Sequence, residues 1–140
     1  MTRLLFMCVA NSARSQMAEA IARNAAPEGV QVFSAGSRPS RVNPYAVEAL
    51  KEIGIDPSDQ YSKGVDDIPI DKIDMAITLC VEEVCPVFPR PVKLAAWPLP
   101  DPAGKGGTDD DILNGFRAVR DEIQKRIQAL FAEWPPKEDA

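Results

Sequence analysis

Thiols, and an arginine set close to one of them, are the side chains of this sequence best suited to demanding chemistry. Cys8 and Arg14 bracket the run Cys8-Val9-Ala10-Asn11-Ser12-Ala13-Arg14-Ser15, in which every intervening residue is small or polar. A short loop that curls into a helix N-terminus aims its N–H groups at one point, where the helix dipole adds positive potential. A tetrahedral oxyanion fits such a cradle, walled by Val9, Ala10, Asn11, Ser12 and Ala13, with Arg14 offering paired donors to two of its oxygens. The same field favours a thiolate on Cys8, which would then be a nucleophile near neutral pH. Ser15 is placed to donate a further hydrogen bond to that sulfur. A bare Cys-x5-Arg is common by chance, with the cysteine a small buried hydrophobe and the arginine a solvated surface group. The small-residue loop, its place between a strand and a helix, and the serine after the arginine favour the cradle.

The chain has no histidine, so a general acid or base must be a carboxylate, lysine, tyrosine or cysteine. Asp101, between Pro100 and Pro102, is the candidate acid, although Asp-Pro is also ordinary turn chemistry. Two more thiols, Cys80 and Cys85, follow an apolar run. A zinc site built from them is disfavoured, because three thiols without histidine leave a tetrahedral site incomplete. No metal is expected.

The elements that would carry these groups alternate. Arg3 to Cys8 holds Leu4-Leu5-Phe6-Met7, apolar throughout, which fits a strand buried on both faces. From Arg14 to about Ala25, Met17, Ala18, Ile21, Ala22 and Ala25 fall at helical spacing. Pro27 and Gly29 break the helix, and Val30 to Phe33 reads as a second strand. Asn43-Pro44 reads as an N-cap with proline at the first helical position, opening a helix with Ala46, Val47, Leu50 and Ile53 on one face that stops at Gly54. Met75 to Leu79 and Pro91 to Ala96 supply two more strands. A long helix from about Asp109 to Ala132 presents Ile112, Phe116, Val119, Ile123, Ile127 and Leu130, with Asp109, Asp110 and Asp111 at the positive end of its dipole. This order points to an α/β fold, a four-stranded parallel sheet with helices on both faces. Ligands bind such sheets at the carboxyl ends of the strands, where Cys8, Cys80 and the Asp101 segment fall.

With 140 residues, the chain suits one compact domain over 1–134, and the tail 135–140 is expected to fray. A net charge of -5 argues against broad attachment to nucleic acid or an anionic membrane. No apolar run approaches bilayer length, and the opening residues do not read as a signal peptide. A cytoplasmic monomer is therefore expected, in a reducing environment where three cysteines are poor structural staples.

The run CVANSARSQMAE, from Cys8 to Glu19, resembles the signature of the low-molecular-weight protein tyrosine phosphatase fold. Ser34-Ala35-Gly36, the Asn43-Pro44 helix and Asp101-Pro102 match it too, so the resemblance spans nearly the whole chain. Ala10 stands where glycine is usual in these loops, and Ala13 where a second cysteine is common. The resemblance implies that Cys8 attacks a tetrahedral anion while Asp101 protonates the departing oxygen. The fold hosts both phosphatases and arsenate reductases, so the fold cannot decide between them. Gln16 occupies a position usually held by proline in the phosphatases. The run Trp97 to Lys105 resembles the reductases' acid loop and lacks the adjacent tyrosines that many phosphatases use to hold an aromatic substrate.

The cysteine pair makes the chain similar to the thioredoxin-coupled arsenate reductases. Their mechanism implies that arsenate joins Cys8, with phosphate and sulfate as competing oxyanions. Cys80 would then attack Cys8 and release arsenite, and Cys85 would attack Cys80, leaving a Cys80–Cys85 disulfide. Thioredoxin is the implied electron donor, with glutaredoxin and glutathione the second choice, because the two cysteines stand closer in sequence than is usual. A disulfide needs Cα atoms about 5.5 Å apart, which five-residue spacing in a regular helix does not give. The segment after Cys80 is accordingly expected to be a loop, or a turn that loosens on reaction. The competing expectation is a phosphatase using Cys8 alone. A third is a redox sensor or binding module, which would not need an acid such as Asp101. Some members of the fold hold potassium through residues matching Asn11, Glu19 and Ser34 plus an aspartate. Lys63 stands at the aspartate's place, and its ammonium is expected to replace the ion.

Overall fold

The computed structural model describes residues 2–8, 11–79, 92–102 and 106–134. Cys80, Cys85, Val9, Ala10 and the tail 135–140 lie outside the described residues, and with them the expectations for the disulfide pair and the segment after Cys80.

Strand β1 runs over Thr2–Cys8, helix α1 over Arg14–Ala25, β2 over Val30–Gly36, α2 over Pro44–Glu52, β3 over Met75–Thr78, β4 over Lys93–Ala96 and α3 over Asp109–Ala132. The sheet has the order β2-β1-β3-β4 and every pairing is parallel. β1 is therefore flanked on both sides, which explains its unbroken apolar run. Leu4, Leu5, Phe6 and Met7 are each at most 1% exposed; burial of each side chain is worth roughly 1.5–3 kcal/mol.

Successive β1 side chains point to opposite faces. Leu4 and Phe6 join the larger core with Met17, Ile21, Leu50, Phe116, Ile123 and Ile127, so α1, α2 and α3 cover that face. Leu5 and Met7 join a smaller core with Ala35, Ile68, Ile73 and Ala76. Among the described residues that second face is closed by two short 3-10 helices, Val65–Asp67 and Ile70–Lys72. The sheet is thus covered by helices on both faces, but unequally.

β2 extends three residues beyond the apolar run, through Ser34, Ala35 and Gly36. Parallel pairing with β1 carries it on, with Cys8 registered to Gly36. The buried residues of α2 are Ala46, Ala49 and Leu50. The helix ends at Glu52, with Gly54 at φ 80° carrying the chain out. Asn43 caps it, its Oδ1 accepting from Tyr45 N at 2.8 Å. Thr108 and Asp111 form a reciprocal capping box at the start of α3, which satisfies two first-turn N–H groups. No helix among the described residues is long and apolar enough to cross a membrane.

Because all four strands run the same way, their carboxyl ends share one edge. Cys8, Gly36, Thr78 and Ala96 end the strands there. Beyond β4 the chain stays alongside β3: Trp97 N–H donates to Thr78 O at 2.8 Å and Leu99 N–H to Leu79 O at 3.0 Å. That continuation delivers Asp101 to the edge where Cys8 ends.

Candidate active site

Cys8 closes β1 and is 4% exposed. Helix α1 begins six residues later with Ala13 at its N-cap, which has no side-chain oxygen for the first-turn N–H groups. Helices usually place Ser, Thr, Asp or Asn there. With no side-chain cap and no acidic side chain in the first turn, the positive end of the helix dipole favours an external anion there. Asn11 adopts φ 47°, the left-handed region in which asparagine is among the more tolerant non-glycine residues. The loop is tied to α2 by Asn43 N–H, which donates to Ser12 O at 2.9 Å.

The Arg14 side chain is almost wholly buried and faces the acid loop. Its Nη1 donates to Leu99 O at 2.9 Å, and Nη2 lies 3.9 Å from Asp101 Oδ2. Asp101 is half exposed. The carbonyl of Leu99 orients the guanidinium plane, while the longer approach to Asp101 holds the candidate acid beside the cradle's cation. This pairing brings residues 87 positions apart in sequence into one site.

Beneath the loop lies a buried polar bed. Asn11, Ser15, Gln16, Glu19 and Ser34 are fully buried, and Lys63 nearly so. Asn11 Nδ2 donates to Ser15 Oγ at 2.7 Å, while Asn11 Oδ1 accepts from Lys63 N at 2.7 Å. Glu19 receives Ser34 Oγ at 2.7 Å and Lys63 Nζ at 3.3 Å on one oxygen. Arg23 Nη2 lies 2.9 Å from its other oxygen. One carboxylate thus faces two cations, which leaves the bed with an excess positive charge, of the sign an oxyanion needs. Lys63 Nζ also donates to Tyr61 O at 2.9 Å and sits 4.6 Å from the centre of the Tyr61 ring. Lys63 O accepts from Gly36 N at 2.9 Å, which fixes this segment beside the residue paired with Cys8.

The structure therefore gathers Cys8, Arg14, Ser15, Asn11, Ser12, Ala13, Glu19, Ser34, Lys63 and Asp101 around one edge of the sheet. Four participants escaped sequence reasoning. The Leu99 and Tyr61 carbonyls carry no side-chain signal. Gln60 sits in an unremarkable polar stretch, yet its Nε2 donates to Gln16 O at 3.0 Å. Gln16 stands out only as a replacement for proline, yet it is fully buried and its Nε2 donates to Tyr61 O at 2.8 Å. No group of three or more metal-ligating side chains occurs among the described residues.

Residues 3–139 match the model of the low molecular weight phosphotyrosine protein phosphatase family. The chain belongs to that family. Within it, the chain is 45% identical to an arsenate reductase of Halalkalibacterium halodurans over 132 residues, covering 93% of this chain and 94% of that protein. Among solved structures, an arsenate reductase in the phosphate binding state superposes with a TM-score of 0.77 at 35% identity, covering 95% of this chain and 98% of that one. A Corynebacterium glutamicum thioredoxin-dependent arsenate reductase matches with a TM-score of 0.65 at 32% identity, covering 92% of this chain and 63% of that one. These relatives place this family member beside the arsenate reductases, as Gln16 and the cysteine pair led one to expect.

Proposed function

We propose that this protein reduces arsenate to arsenite, with Cys8 as the nucleophile and Cys80 and Cys85 carrying the electrons outward. The 45% identity to an arsenate reductase across 93% of the chain carries this reading. Arsenate is held by the 9–14 loop and by Arg14. The Cys8 thiolate attacks arsenic, and Asp101 protonates the departing oxygen, which leaves as water. Cys80 sulfur then attacks Cys8 sulfur. The electron pair of the S–As bond stays with arsenic, so arsenic(V) becomes arsenic(III), arsenite departs and a Cys8–Cys80 disulfide forms. Cys85 attacks Cys80 sulfur, freeing the Cys8 thiolate and leaving a Cys80–Cys85 disulfide, by ordinary thiol–disulfide exchange. An external dithiol reduces that disulfide; thioredoxin is our assignment, supported by the thioredoxin-dependent relative, with glutaredoxin and glutathione as second choice. The cycle needs reduced thiols, which fits a cytoplasmic enzyme.

The deciding assay supplies purified protein with arsenate, thioredoxin, thioredoxin reductase and NADPH, with an aryl phosphate tried in parallel. Sustained arsenate-dependent NADPH oxidation with arsenite release is the expected result. Aryl phosphate hydrolysis without arsenate reduction, with glutaredoxin and glutathione also tried, would make the protein a phosphatase.

A further inference from the structure

Gln16 and Gln60 lie behind the anion loop, and the direction of every hydrogen bond they make is fixed by neighbouring backbone groups. A backbone N–H only donates and a carbonyl only accepts. Lys63 N–H reaches Asn11 at 2.7 Å, so the Asn11 atom facing it is Oδ1, and Nδ2 is turned to Ser15 Oγ at 2.7 Å. The carbonyls of Tyr61 and Asn11 face one atom of the Gln16 amide at 2.8 and 3.1 Å, so that atom is Nε2. It also reaches Asn11 Oδ1 at 2.8 Å. Its two hydrogens serve Tyr61 on one side and the two Asn11 oxygens on the other. The backbone carbonyl of Gln16 accepts from Gln60 at 3.0 Å, so the Gln60 atom is Nε2, which donates to Gln16 Oε1 as well. Every link therefore runs one way, from Gln60 to Gln16, to Asn11, to Ser15. Ser15 Oγ accepts, so its own hydrogen is the outgoing end.

We infer that Gln60 and Gln16 are positioning residues for the nucleophile: a one-way chain of side-chain amides turns the Ser15 hydroxyl hydrogen towards the Cys8 sulfur. The inference rests on the proposed reading of Cys8 as the nucleophile and of Ser15 as the donor to its sulfur. Bonds in such a chain polarise one another, by roughly 10–30% per link, and each link stops the next amide from turning over. A reversed Asn11 would set its NH2 group against two donors, Gln16 Nε2 and Lys63 N–H, and its oxygen towards Ser15. The serine hydrogen would then be spent on Asn11 instead of on sulfur. Hydrogen bonding to a thiolate favours its charged form, so the chain lowers the Cys8 pKa. Gln60 is half-buried and borders a polar cavity of about 320 Å³ with Arg23, Asn24, Asp56 and Asp59, so its variants need little repacking.

The test measures the pH dependence of iodoacetamide alkylation at Cys8, read by mass spectrometry on the peptide containing it, which separates it from Cys80 and Cys85. Thermal midpoints are measured alongside. Parent, Gln16→Met, Gln60→Met and Gln60→Lys are compared in about 0.5 M salt, where the screening length is near 4 Å. The charged groups around the cradle, Arg14, Asp101, Arg23 and the Glu19–Lys63 pair, are common to all four proteins, and the salt screens the one charge that Gln60→Lys adds. Gln16→Met is expected to raise the apparent Cys8 pKa by about one unit and Gln60→Met by about half a unit, while Gln60→Lys, which keeps a donor, stays near the parent. A purely structural role would move the melting midpoint and leave the titration in place. Depressed parent titration that neither methionine variant moves would overturn the inference and leave the proposed function standing. An equal shift in Gln60→Lys and Gln60→Met would overturn it too, because direction would not matter. A parent Cys8 that titrates as an ordinary thiol, near about 8.5, would instead remove the nucleophile on which both depend.

Discussion

Lys63 Nζ lies 3.3 Å from Glu19 Oε2, and both side chains are almost wholly buried. The ammonium also binds Tyr61 O, so it sits between a carboxylate and a carbonyl, ligands a bare monovalent cation would use. Removing one member of a buried pair leaves an uncompensated charge, which generally costs about 3–5 kcal/mol. Arg23 and Ser34 still hold Glu19 in this protein, so Lys63→Met is expected to cost less, about 2–3 kcal/mol. We also expect arsenate reduction by the parent to be equal in potassium and choline chloride, and the variant to gain activity and melting temperature in potassium. Equal dependence of both proteins on potassium would refute the lysine's role.

How much of this was legible beforehand follows the range of each interaction. Helices α1 and α3 were readable to their ends, because their apolar spacing is local and their flanking residues end them. The last three residues of β2 were not, since Ser34-Ala35-Gly36 is held in the sheet by pairing with Phe6, Met7 and Cys8. That Cys8, Arg14 and Ser15 lie at one strand end and helix start was readable, because loop and helix are contiguous. The bracing of Arg14 by Leu99 O and of Gln16 by Tyr61 O was not, since contacts to carbonyls across 85 and 45 positions leave no mark on residue type.

Acid should loosen the packing of α2 on α3 before it touches the sheet. Glu52 accepts from Arg117 Nε at 2.9 Å and from Arg120 Nη1 at 2.7 Å. Hydrogen bonding from Arg117 foremost, then from Arg120, pulls its pKa from the ordinary 4.5 to about 2. A carboxylate with a lowered folded pKa contributes stability that is complete above its unfolded pKa and is lost as pH falls through the folded one. The parent is therefore expected to melt higher than Glu52→Gln at pH 6. That gap should close between about pH 4.5 and pH 2. A gap that persisted at pH 2 would show that the glutamate acts through packing and not charge.

Asp101 and Arg14 make a second chemical prediction. The carboxyl stands beside the guanidinium at 3.9 Å, close enough to serve an oxygen leaving an anion that Arg14 holds. An asparagine in place of Asp101 would keep the size and remove the transferable proton. In single-turnover measurements, Asp101→Asn should slow arsenite formation by about 10²-fold or more, with arsenate binding changed little. If the variant instead lost binding and kept its rate, Asp101 would be a partner of Arg14 and not the acid.

The electron path gives the sharpest test of the reductase cycle. In the relay proposed above, Cys8 alone would suffice for attack, Cys80 for release of arsenite, and Cys85 would be needed only to free Cys8 again. Cys8→Ser should therefore abolish every activity, since a serine hydroxyl is a poor nucleophile without a base. Cys85→Ser should release one arsenite per enzyme and then stop, because the Cys8–Cys80 disulfide closes the cradle. Quenched-flow counting of arsenite per enzyme separates these cases, and mass spectrometry of the quenched Cys85→Ser enzyme should find Cys8 joined to Cys80. A Cys85→Ser enzyme that cycles at the parent's rate with thioredoxin would show that the external dithiol attacks Cys80 directly, and the relay would end one thiol earlier.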